Sequence, residues 1–71
     1  MNVNKIKAYI EENRERTLSF KINGSRNQVE EFKGKIISTY RAIFLIRLEE
    51  SDMVKSFAYT DVLIGNLEIK V

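Results

Sequence analysis

The chain has 71 residues, room for one domain, and a chain of this size buries only about 60% of the surface its unfolded form exposes. It holds no cysteine and no histidine, which excludes disulfides and thiolate metal sites and removes the usual general base. Hydrophobic residues make up 44% and charged residues 31%, too apolar for a disordered chain, and a formal net charge of +2 permits an acidic partner or nucleic acid without requiring either.

The opening segment predicts an amphipathic helix over about 3–13. Val3, Ile6, Tyr9 and Ile10 recur at three- and four-residue spacing, with Asn2 or Asn4 as N-cap. About three turns cannot stand alone, so this helix must dock. The period then changes to two: Leu18, Phe20 and Ile22 alternate with Thr17, Ser19 and Lys21, and Asn23-Gly24 follows as a turn signal. A second strand runs from about Gln28 to Thr39. Its alternation slips near Gly34, which predicts a bulge or bend there.

Tyr40-Arg41-Ala42 leads into Ile43 to Leu48, apolar on both faces and therefore central. Phe44, Ile46 and Leu48 are expected inside. Ile43 and Leu45 then point outward, to be covered by the helix or by another chain, including a second copy. A fourth strand is expected over Lys55 to Thr60, a single helical turn over Asp61 to Ile64, a turn at Gly65-Asn66, and a last strand through Leu67, Ile69 and Val71. The fold class is mainly β: a small five-stranded SH3-like barrel with an N-terminal amphipathic α-helix, one domain over 1–71 with the barrel over about 16–71. The longest apolar run, Ala42 to Ile46, is far too short for a membrane span, and the polar first residues lack a signal-peptide pattern. A cytoplasmic protein without membrane contact is expected.

The chain from Arg16 onward resembles the Veg family of small proteins of low-GC Gram-positive bacteria, and the leading helix fits as well. Leu18-Ser19-Phe20-Lys21-Ile22-Asn23-Gly24-Ser25-Arg26 is similar to the family's strand running into Asn-Gly-Gly-Arg, and Gly34 follows at the expected interval. Tyr40-Arg41-Ala42-Ile43-Phe44 stands where the family has Tyr-Pro-Ser-hydrophobic-Phe, and Phe57-Ala58-Tyr59-Thr60-Asp61-Val62-Leu63 resembles its Tyr-Ser-Tyr-x-Asp-hydrophobic-Leu. Arg26-Asn27-Gln28 lacks the further basic residues of the family's loop, and Arg41 replaces its proline. The resemblance implies an SH3-like barrel, no catalysis, and stimulation of biofilm formation by action against a repressor of matrix genes.

Candidate chemistry is sparse. The adjacent pairs Glu11-Glu12, Glu30-Glu31 and Glu49-Glu50 cannot converge on one substrate, because neighbours on a strand face opposite ways and neighbours on a helix diverge by about 100°. Asp61 stands where a carboxylate caps backbone N–H groups. Gly24, Gly34 and Gly65 are too far apart for a phosphate loop, so no cofactor, metal or catalytic residue is expected. An Sm-like RNA-binding ring would need an Asn after Asp52-Met53-Val54 and an Arg beside Gly65-Asn66, and neither is present.

Two readings remain. One is a small regulatory adaptor that binds a regulatory protein through Lys21, Asn23, Arg26, Lys33 and Lys35 around the first hairpin, with Tyr40 and Arg41 beside it. The alternative is a small barrel that binds single-stranded RNA or DNA with the same basic hairpin. Phe20, Phe32, Phe44 and Phe57 are assigned to the core, and Tyr40 and Tyr59 fit either core or surface.

Overall fold

The computed structural model describes residues 2–24 and 29–70. Helix α1 covers Val3–Glu12, and the Asn2 side chain accepts the Lys5 N–H at 2.9 Å, satisfying one of the donors that a helix start leaves open. Ile6 and Ile10, one turn apart, are its buried residues. The helix stops at the C-cap Asn13, which is itself buried. Both ends of its amide are bonded: Nδ2 donates to the Tyr9 carbonyl at 2.7 Å, and Oδ1 accepts from Arg16 Nη1 at 3.0 Å. Glu15, at φ 67°, then turns the chain into the sheet without a glycine.

Five strands follow: β1 (Thr17–Asn23), β2 (Val29–Thr39), β3 (Ile43–Leu48), β4 (Val54–Ala58) and β5 (Leu67–Lys70), with the short helix α2 (Tyr59–Leu63) between the last two. All pairings are antiparallel, and the sheet order is β4-β3-β2-β1-β5. The mainly β architecture is as expected, with two local corrections. The fourth strand ends at Ala58, and Tyr59 already belongs to the helical turn, because Asp61 reaches back to accept the Ala58 N–H at 3.0 Å. The bulge lies between Ile36 and Ser38, not at Gly34.

Gly34 has a different role. A Cβ built on it would lie 2.5 Å from the Arg47 carbonyl oxygen and 2.8 Å from Ile46 Cγ2, so only glycine lets β2 and β3 approach this closely.

The core is Ile6, Ile10, Leu18, Phe20, Ile36, Phe44, Ile46, Tyr59 and Leu67. An aromatic series runs through it from Phe20 to Phe32 at 5.3 Å between centroids, on to Phe57 and Phe44 at 6.2 Å each, and to Tyr59 at 5.4 Å. Phe20 and Phe44 are fully buried, whereas Phe32 and Phe57 are only partly so. Phe57 of β4 and Ile22 of β1 line one cavity although two strands separate theirs, so the sheet curls strongly. The barrel does not close: among the described residues no ladder joins β4 to β5, and α2 bridges them instead.

Helix α1 does not cover Ile43, which is 39% exposed; Leu45 is half-buried. The helix packs against α2, with Lys7 Nζ 5.3 Å from the Tyr59 ring centroid, and it is tied by hydrogen bonds to the far end of β2, beyond Lys35, where β1 has not yet begun and leaves that edge unpaired. Lys7 Nζ donates to the Arg41 carbonyl at 3.1 Å, Thr39 Oγ1 bonds Glu11, Arg14 donates to the Ile37 carbonyl at 3.2 Å, and the Glu15 N–H donates to the Ile36 carbonyl at 3.1 Å. The spacing has a simple cause. Four residues of helix rise about 6 Å, close to two residues of strand, so Lys7 and Glu11 meet Arg41 and Thr39 in step.

Candidate functional site

Strand register decides which of the expected residues share a surface. Lys21 faces outward from β1, opposite Glu31 of β2 and Glu68 of β5, with its Nζ 3.8 Å from Glu68 Oε2. Asn23 ties the end of β1 to the turn before β5: its Nδ2 donates to the Gly65 carbonyl at 2.8 Å and to Glu68 Oε2 at 2.9 Å. The Asn23 hydrogen bond and then the Lys21 charge hold the Glu68 carboxyl below its ordinary value. Lys21 and Asn23 are therefore engaged within the molecule.

Lys33 and Lys35 are exposed on the outer face of β2, opposite Ser19 and Thr17 of β1. Tyr40 and Arg41 lie beyond the bulge at the far end of β2, roughly 20 Å along the strand at about 3.3 Å per residue. Their carbonyls hold the fold, that of Tyr40 accepting from the Tyr59 hydroxyl at 3.0 Å and that of Arg41 from Lys7. The Tyr40 side chain is 55% exposed. Tyr59 is buried, and that burial, with Glu11 nearby, raises its hydroxyl pKa above 10.0. Arg26 lies outside the described residues. The expected set is thus spread from one end of the first hairpin to the other.

What the fold brings to Lys33 and Lys35 is Arg47. It stands directly opposite Lys35 on β3, on the outer face and exposed. Lys70 of β5 joins from the other side, opposite Ser19. Both were open to a reading of strand phase, since Arg47 lies between the inward Ile46 and Leu48. Which strand lies beside which was not. A groove of about 620 Å³ runs here between Lys21, Lys33 and Lys70 on one hand and Glu31, Glu49 and Glu50 on the other. A smaller one of about 320 Å³ holds Lys35 and Arg47 with Glu15, Glu49 and Asp52. Among the described residues no carboxylate comes within ion-pair distance of Lys33, Lys35 or Arg47.

A third cavity, of about 490 Å³, opens at the mouth of the curled sheet over Ile22, Phe57 and Leu67, rimmed by Asn23, Asn66 and Asp61. The Asp61 carboxylate serves as the helix cap expected of it. Among the described residues no three His, Cys, Asp or Glu side chains are grouped to hold a metal ion. No helix among them is long and apolar enough to cross a membrane.

No curated protein matches the chain. One family model does, over residues 1–70, and its description is of a biological effect, not of a reaction: biofilm formation stimulator VEG. With nearly the whole chain matched, and a five-stranded antiparallel sheet behind an N-terminal helix, this protein belongs to the biofilm formation stimulator VEG family.

Proposed function

We propose that this chain stimulates biofilm formation without catalysing a reaction, by stoichiometric binding of a regulatory protein through an acidic segment of that protein. The observation that supports this is the facing pair Lys35 and Arg47 on the outer side of the sheet, with Lys33 two residues along the same face. Like charges directly opposite each other destabilise a sheet. A bound acidic segment supplies the direct ion-pair partner that these cations lack among the described residues and relieves that repulsion, and it gains speed of encounter and selectivity more than raw affinity. The effect on biofilm then follows from occupancy of the regulator, so it scales with the amount of this protein.

The test is a triple variant, Lys33→Ala, Lys35→Ala and Arg47→Ala, replacing the wild-type protein in its host. Exposed substitutions of this kind change stability by about 0.5 kcal/mol or less each, so the variant should fold. Biofilm mass and capture of the regulator from nuclease-treated lysate should both fall. Unchanged capture and unchanged biofilm would show that the surface is wrong. Capture that depends on nucleic acid and drops steeply with salt would favour the single-strand-binding alternative.

A further inference from the structure

The curled sheet has two free edges, β4 and β5, and backbone parity shows which groups each presents. The Leu48 N–H donates to the Met53 carbonyl at 2.8 Å and the Tyr59 N–H to the Ala42 carbonyl at 3.3 Å, both on the register of the β3–β4 ladder. Bonded and non-bonded pairs alternate in an antiparallel ladder. The bonded pairs are therefore Ile46 with Lys55 and Phe44 with Phe57, and the backbone N–H and C=O groups of Val54, Ser56 and Ala58 point away from β3. The Ala58 N–H agrees, since it points to Asp61 and is capped there. Among the described residues the N–H and C=O groups of Val54 and Ser56 bond to nothing.

Side chains distinguish the two edges. On β5 the outward residues Glu68 and Lys70 are charged and exposed, the usual protection of an edge strand. On β4 the outer residues are Val54, Ser56 and Ala58, and Ser56 and Ala58 pair with Leu45 and Ile43. That part of the outer face carries no charge, and Val54 is 48% exposed. The single charged residue of β4 is Lys55, which faces inward with its Nζ 5.8 Å from the Phe32 ring centroid. Among the described residues it has no ion-pair partner. Arg47, opposite Val54, carries the basic row of the outer face up to this same edge.

We infer that β4 is the docking edge, taking an extended segment of the partner protein as a sixth strand, with an acidic side chain opposite Lys55 and uncharged side chains beside Val54 and Ser56. The inference rests on the protein-partner reading above and adds, beside the basic row of the outer face, a second contact at the sheet edge. Main-chain hydrogen bonds to Val54 and Ser56 supply affinity, and the charge opposite Lys55 supplies selectivity. A second copy of this chain fits less well. A two-fold about Ser56 sets Lys55 diagonal to its own counterpart on the inner face, about 7–8 Å away, with like charges facing.

Two variants test the edge. Ser56→Pro removes an N–H that β3 does not use, and proline is tolerated at such edge positions. Lys55→Glu reverses the charge and leaves the backbone intact. Random eight-residue peptides displayed on phage are selected on the wild-type chain. The enriched peptides should place Asp or Glu between uncharged residues and bind Ser56→Pro at least tenfold more weakly, while Lys55→Glu should enrich Lys or Arg at the same position. Amide exchange at Val54 and Ser56 should slow on binding. No enrichment, enriched peptides without an acidic position, or peptides that bind both variants as well as wild type would overturn the proposal. So would a wild-type dimer that Ser56→Pro makes monomeric, since the edge then belongs to a second copy. If Ser56→Pro does not fold, the charge reversal decides alone. Should Ser56→Pro fold, capture the regulator and stimulate biofilm as wild type does, the edge is excluded while the adaptor reading stands.

Discussion

Asn23, Lys21 and Glu68 form a small polar lock between β1 and β5, and it makes a testable link between pH and stability. The Glu68 carboxyl titrates below its ordinary 4.5 in the folded chain. A group with a lowered folded pKa adds stability above its unfolded value, and that stability is lost as pH falls through the folded value. Glu68→Gln should therefore flatten the acid limb of a urea-unfolding profile measured from about pH 5 down to about pH 3. Tyr59 has the opposite sign: its raised pKa means stability is lost as pH climbs beyond 10.0, a loss that Tyr59→Phe should remove. At Gly34 the expected result is steric. Ala there would force β2 from β3 against the Arg47 carbonyl, at a cost on the order of 1–3 kcal/mol by thermal unfolding. The sequence marked Gly34 as special but for a different reason, because a close backbone contact with a strand twelve or more residues on leaves no local trace.

Individual elements follow local chemistry closely. The apolar spacing of Val3, Ile6 and Ile10 and the Asn2 cap define α1, and Asn2→Ala should cost about 1 kcal/mol, read as a lower midpoint in denaturant. The two-residue period of Leu18, Phe20 and Ile22 defines β1, and their inward phase is what the core shows. Where β4 hands over to α2 the pattern misleads. Phe57 and Tyr59 read as two inward residues of one strand, but Asp61 caps the Ala58 N–H and starts the helix at Tyr59. Tyr59 is buried either way, so burial alone could not separate the two. The docking of α1 was legible only as a need to bury Ile6 and Ile10. Its place depends on α2, against which it packs, and on the unpaired carbonyls of Ile36 and Ile37, which bind the residues after the helix and exist because β1 begins at Thr17 and pairs no further than Lys35.

Across the whole molecule one core joins the helix to the sheet. Ile10 is completely buried, and Ile10→Ala should lose about 2–5 kcal/mol, since the cavity forms where helix and sheet meet and neither can collapse into it. The openness of the barrel also acts at this scale. Among the described residues no ladder joins β4 to β5, and α2 packs against both strands. An edge strand with free backbone groups is the result.

Composition and periodicity were enough for the class of fold, the helix, the strand phases and the capping role of Asp61, because each depends on residues within a few positions of one another. They were also enough to locate basic residues near the first hairpin. Which charges meet was settled in three dimensions: Lys21 and Asn23 are taken up by Glu68, Tyr40 and Arg41 lie at the opposite end, and Arg47 arrives from β3 to face Lys35. The physical reason is that cross-strand proximity comes from register and sheet order, which join residues distant in the chain and leave no periodic signal in any one of them.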